Sequence, residues 1–180
     1  MNKFRTLLLA LPLTLISLNS PSQDKEVFLK GGLSSSHQTR KELVSYYPSL
    51  GLDLGLEHKL TKNLSIDYSM SKEFAYSFDR ESRIALSETG LGINLKSEKV
   101  DNHDVYLGLG AKVKNIYQKE NLNEFNANYF GGYLKAGTSW RVNDTILSYF
   151  EIEYSPTHAN KYPFPGINSQ IKFTLGLGLK

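Results

Sequence analysis

The sequence predicts an all-β fold: an eight-stranded antiparallel up-and-down β-barrel that crosses a membrane. Three observations predict it. Apolar residues past the N-terminal segment recur at every second position, with no sustained spacing of three and four, which is the period of strands with one apolar face. The links between these stretches alternate between short and long. Mean hydropathy is −0.35 and hydrophobic residues make up 40%, yet no apolar run after residue 18 approaches the roughly 20 residues of a membrane helix. Alternating lipid-facing and lumen-facing positions average to such middling values.

The chain begins with a secretory leader pattern over residues 1–22. Lys3 and Arg5 form the charged start, Leu7 to Leu18 is mainly apolar, and Ser20 and Ser22 occupy the two small positions of a cleavage site, so that Gln23 would become the N-terminus and 23–180 the barrel. Lys3 and Arg5 leave with the leader, so the formal charge of 21 bases against 18 acids falls from +3 to +1. A near-neutral chain without a clustered basic face is not a nucleic-acid binder. The absence of Cys removes disulfides, thiol nucleophiles, Cys-ligated zinc and a lipidated N-terminal Cys.

The first strand is expected over Val27 to Leu33, followed by a long polar link from Ser34 to Ser45. The second, Leu50 to Glu57, has Leu on one face and Gly or acid on the other. Thr61-Lys62-Asn63 then makes a short turn into the third strand, where Leu64, Ile66, Tyr68 and Met70 oppose Ser65, Asp67, Ser69 and Ser71. A long link covers Lys72 to Arg83. The fourth strand, Ala85 to Leu95, turns through Asp101-Asn102-His103-Asp104 into the fifth, where Val105 to Val113 alternate with Gly and Lys. After a long link from Ile116 to Asn128 come the sixth strand, Phe130 to Val142, the turn Asn143-Asp144, and the seventh strand, Ile146 to Tyr154. Ser155 to Asn168 is the last long link, and Ile171 to Leu179 the closing strand. Asn and Asp suit tight hairpins because they tolerate left-handed backbone. Short turns at one end and long loops at the other is the arrangement of outer-membrane barrels.

With the apolar face toward lipid, the lumen receives the bases Lys30, Lys112, Lys114, Lys135, Arg141 and Lys172 and the acids Asp53, Glu57, Asp67, Glu88, Glu151 and Glu153. Buried charges persist only when paired, and eight strands enclose a space that side chains can fill. A plugged interior follows, relieved by inward glycines such as Gly92, Gly110 and Gly137. Trp140 and Tyr154 fall on lipid-facing positions suited to an interfacial belt.

On this pattern, over the whole mature chain, the sequence resembles the OmpA/OmpX-like family of small outer-membrane β-barrels. The resemblance implies residence in the outer membrane of a Gram-negative bacterium, contact with lipid and lipopolysaccharide, and insertion by the barrel-assembly machinery. The closing segment Lys172 to Lys180 resembles the strand that machinery recognises, although it ends in Leu179-Lys180 where such strands usually end in an aromatic residue.

The expected role is non-enzymatic, structural or in surface interaction. No cofactor and no metal is implied: there is no Gly-rich phosphate loop and no His-rich metal spacing, and His37, His58 and His103 read as solvated polar residues. Candidate loop contacts are the aromatics Phe74, Tyr76, Phe78, Tyr117, Phe125, Tyr162 and Phe164, which suit a surface ligand or protein. The alternative is a lipid A-modifying acyl hydrolase using Ser155, His158 and Glu153. The run through Tyr154-Ser155, Ala159, Lys161, Pro163 and Gly166-Ile167 is similar to the end of the outer-membrane lipid A deacylase family. That family places its His two residues before its Ser, where this chain has Glu153, and an acid where this chain has Asn168.

Overall fold

The computed structural model describes residues 26–40, 48–77, 82–97, 103–120, 123–159 and 166–180. The expected leader, residues 1–22, lies outside them. Eight strands follow in chain order: β1 (Val27–Arg40), β2 (Pro48–Lys59), β3 (Leu64–Ser77), β4 (Ser82–Lys96), β5 (His103–Glu120), β6 (Asn123–Arg141), β7 (Ile146–Ala159) and β8 (Gly166–Leu179). Each pairs antiparallel with its neighbour, and β8 returns to β1, so the sheet closes into a barrel without helices among the described residues. Closure removes both sheet edges, the condition for a sheet to cross a bilayer with its backbone satisfied.

Parity assigns the faces. Leu50, Leu52 and Leu54 of β2, Val105, Leu107 and Leu109 of β5, and Leu175, Leu177 and Leu179 of β8 all point outward and are exposed. The residues between them point inward and are buried: Asp53 and Glu57, Tyr106 and Lys112, Lys172 and Thr174. Together the outward side chains form a continuous apolar belt.

Short turns close one end. In the β2–β3 turn the Thr61 hydroxyl accepts from the N–H groups of Asn63 (3.3 Å) and Leu64 (3.1 Å). In the β6–β7 turn the Asn143 side-chain oxygen accepts from Thr145 (2.9 Å) and Ile146 (2.8 Å), the Asx arrangement that makes Asn a turn residue. Asp101 and Asn102 lie outside the described residues, whereas His103 and Asp104 open β5 instead of belonging to the turn.

At the other end the strands run further than the alternation of apolar residues predicts. β3 extends to Ser77, β5 to Glu120, β6 starts at Asn123 and β7 ends at Ala159, so much of each expected loop is strand. The reason is an inversion of polarity. Beyond Val113 the outward residues become Asn115, Lys119, Asn126 and Asn128, while the inward ones become Leu86, Ile116, Ala127 and Tyr129, which form a buried apolar cluster with Ile84 packed on it. Across the outer surface the Asn115 amide donates to the side-chain oxygens of Asn126 (2.7 Å) and Asn128 (2.8 Å). A strand in water hides its apolar side; the same strand in lipid exposes it.

Candidate functional site

The lumen is a network of paired charges held by side chains from all eight strands. Nearest the turn end, Lys30 of β1 meets Glu151 of β7 at 2.5 Å, Glu57 of β2 at 3.5 Å and Asp67 of β3 at 3.8 Å. Lys135 of β6 meets Asp67 at 2.6 Å and Glu151 at 3.6 Å, and the Tyr106 hydroxyl donates to Glu151 at 2.6 Å. Glu57 also pairs with Lys96 and accepts from Ser65 at 2.9 Å. In the middle, Glu88 of β4 gathers Lys112 (3.1 Å), Lys114 (3.3 Å) and Lys172 (3.5 Å). Lys172 reaches Asp53 at 2.5 Å, and Lys112 also pairs with Glu153. These partners are far apart in sequence, so the network stitches opposite walls of the barrel together.

Toward the outer end Glu73, 0% exposed, accepts from the hydroxyls of Ser36 and Ser49, both at 2.5 Å, and of Ser34 at 3.3 Å. Beside it, Leu86 pairs with Glu73 across β3 and β4 and belongs to the apolar cluster with Tyr129. The void left among Asp53, Glu88, Lys112, Glu153 and Lys172 is about 20 Å³, room for about one water. Side chains therefore fill the middle of the lumen.

Three tyrosines complete the filling, each directly opposite a glycine on the neighbouring strand: Tyr106 and Gly137, Tyr133 and Gly110, Tyr149 and Gly176. A Cβ on Gly110 would lie 2.6 Å from the Tyr133 ring, and one on Gly176 at 2.6 Å from that of Tyr149, so the missing side chain is what lets each ring lie flat on the wall. The rings carry ammonium groups, with Lys30 4.5 Å from the Tyr149 centroid and Lys112 5.6 Å from that of Tyr133, within cation–π range.

Eleven of the lumen charges expected from parity, Lys30, Asp53, Glu57, Asp67, Glu88, Lys112, Lys114, Lys135, Glu151, Glu153 and Lys172, face inward and are buried or half-buried. Arg141 differs. It ends β6 at the turn-end mouth and is exposed there, without an ion pair among the described residues. Glu73 and Lys96 are additional lumen charges; each continues the inward parity of its strand just past where the apolar alternation is regular.

The hydrolase constellation is not assembled. Ser155 points inward, 0% exposed, and donates to Gln170 at 3.4 Å, whereas His158, three residues on along β7, points outward and is exposed. An odd separation along one strand places two side chains on opposite faces. Glu153 shares the Ser155 face but is engaged by Lys112.

Of the aromatics expected on loops, Phe74 sits on β3 and Tyr117 on β5, both facing outward. The Lys72 ammonium lies 5.4 Å from the Phe74 ring. Tyr76 and Phe125 belong to β3 and β6, with side chains outside the described set. Phe78, Tyr162 and Phe164 lie outside the described residues.

At the turn end the lumen opens into a cavity of about 420 Å³, at the lower end of the usual range for small-molecule sites. Its lining includes Phe28, Lys62, Lys96 and Arg141.

No protein-family model and no curated protein sequence matches the chain. Solved structures do. Neisserial surface protein A superposes with a TM-score of 0.74 at 9% identity, covering 88% of this chain and 99% of its own. Ail, the attachment invasion locus protein of Yersinia pestis, gives 0.63 at 12% identity over 87% and 99%. The outer membrane protein OprG of Pseudomonas aeruginosa gives 0.56 at 11% over 85% and 94%. The chain therefore has the fold of the small eight-stranded outer-membrane β-barrels of the OmpA/OmpX type.

Proposed function

We propose that the protein is a non-enzymatic outer-membrane barrel of a Gram-negative bacterium, exported through a cleaved leader, whose closed lumen serves stability and whose outer rim makes surface contacts. The observation that carries this reading is the occupied lumen: among the described residues the salt-bridge network spans it, with a void of about 20 Å³ at its centre and the apolar cluster around Leu86 toward the outer end. The rim supports the second part. Beyond the apolar belt it offers Tyr117, Lys119 and Glu124 outward, and Lys72 with Phe74 at the belt edge joins a cation to an aromatic face, a pairing suited to lipopolysaccharide phosphates beside acyl chains. A surface protein or ligand is the further contact we assign to this rim.

Reconstituted in planar lipid bilayers, the barrel is expected to give no large, stable conductance. A long-lived open channel of uniform size would overturn the closed-lumen reading. The hydrolase reading gains nothing from the geometry, since Ser155 and His158 lie on opposite sides of the wall.

A further inference from the structure

We propose that the turn-end cavity is a binding site for a small organic anion with a compact apolar body. Four cationic side chains line it, Lys59, Lys62, Lys96 and Arg141, against two carboxylates, Glu26 and Asp104. Lys59 is engaged by Glu26 at 3.3 Å, and Lys96 by Glu57 in the floor. Lys62 and Arg141 form no ion pair among the described residues, so the rim carries two cations free to take an anion. Lys62 comes from the β2–β3 turn and Arg141 from the end of β6, and the barrel rather than either element brings them to one opening.

The wall below them is not wholly polar. Phe28, 8% exposed, and Leu147 contribute apolar surface, and Ser139 contributes a hydroxyl. A bare inorganic ion would satisfy the cations and leave that surface wet. A phosphate or carboxylate bearing an aromatic or branched aliphatic group satisfies both: its charge meets the exposed cations of the rim, Lys62 and Arg141, where a guanidinium offers two parallel donors, and its body covers Phe28 and Leu147. Its floor is the turn-end edge of the charge network, where Lys96 meets Glu57 and where Lys30 and the Tyr106 hydroxyl meet Glu151.

The test is a titration of the isotope-labelled full barrel, in sugar-headgroup detergent micelles, with phenyl phosphate, inorganic phosphate and benzyl alcohol, followed by amide NMR. Phenyl phosphate is expected to give saturable shifts at Lys62, Asn63, Ser97 and Arg141, leaving Asn126 and Lys119 at the far end unmoved. Lys62→Ala with Arg141→Ala should weaken it by about tenfold or more, the scale of one lost charge-assisted hydrogen bond; both positions are exposed, and unchanged shifts elsewhere report an intact fold. Inorganic phosphate and benzyl alcohol should each bind more weakly. Absence of saturation, an unchanged affinity in the double variant, or equal shifts at Lys119 would overturn the site. Equal affinity for inorganic phosphate would overturn the apolar part of the assignment. A conducting barrel that still saturates would leave this site standing while removing the closed-lumen reading.

Discussion

Lys135 bridges two carboxylates, Asp67 at 2.6 Å and Glu151 at 3.6 Å, in a place with almost no solvent. Removing one member of a buried ion pair costs more than the pair contributes, because the partner is left charged and desolvated. Lys135→Met is therefore expected to destabilise the barrel by about 3–5 kcal/mol, read from urea unfolding in lipid vesicles. Adding Asp67→Asn should restore part of that loss, with a coupling of about 1 kcal/mol or more; strictly additive losses would show that the two side chains do not act as a pair. Such positions were legible from parity alone, since Lys135 and Asp67 alternate with Leu134 and Ile66. The tyrosines opposite glycines were not. Tyr106, Tyr133 and Tyr149 have inward parity in the sequence, but their meaning depends on strand register, which brings Gly137, Gly110 and Gly176 across from them. Register is a pairing property that no single strand carries. Ser155 and His158 make the converse case: close in sequence, they are separated by the wall.

At the scale of the strand, the informative feature is where alternation changes phase. On β5, Val105, Leu107 and Leu109 are exposed apolar residues; by Asn115 and Ile116 the polar residue faces out and the apolar one in. Reading only the first phase ends the strand near Lys114 and leaves Ile116 to Asn128 as a loop, whereas the ladder pairs Ile116 with Ala127 and continues to Glu120 and Asn123. Membrane boundaries are thus written into the strands as the point of inversion. Substitution by Arg should register the difference. Leu109→Arg, in the middle of the apolar stretch of β5, is expected to cost about 2–4 kcal/mol in vesicles, the figure for a cation facing lipid at mid-depth. Asn126→Arg, outward but above the inversion, should change stability by about 0.5 kcal/mol or less. Equal costs would mean that Asn126 lies within the hydrocarbon layer and that the inversion marks something else.

For the whole molecule, the seam between first and last strands decides whether the sheet is a barrel at all. β1 and β8 pair from Leu29 with Leu179 to Arg40 with Asn168, and a clamp at the turn end reinforces them. Glu26, just before β1, holds the Lys180 ammonium at 2.5 Å and that of Lys59 at 3.3 Å, while its carbonyl accepts from the Lys59 N–H at 2.9 Å and the Lys180 N–H donates to Thr145 at 2.9 Å. Lys180 thereby joins the start of β1, the end of β8 and the β6–β7 turn. Partial burial pushes the Glu26 carboxyl up, but the ammonium groups of Lys180 and Lys59 outweigh it and hold the carboxyl below its ordinary value of 4.5. A carboxylate with a lowered folded value stabilises the fold fully above its unfolded value, and that stabilisation is lost as the pH falls through the folded one. The clamp should accordingly be complete at neutral pH and open in acid, with the core ladder still closed. Hydrogen-exchange protection factors for the Lys59 and Lys180 amides are expected to hold down to about pH 4, the usual glutamate range, and to drop below it, while those of Leu54 and Leu109 hold. In Glu26→Gln the two amides should already be weakly protected at neutral pH and show no further loss in acid. Protection at Lys180 that is independent of both pH and the Glu26 side chain would mean that the β1–β8 ladder alone fastens the seam.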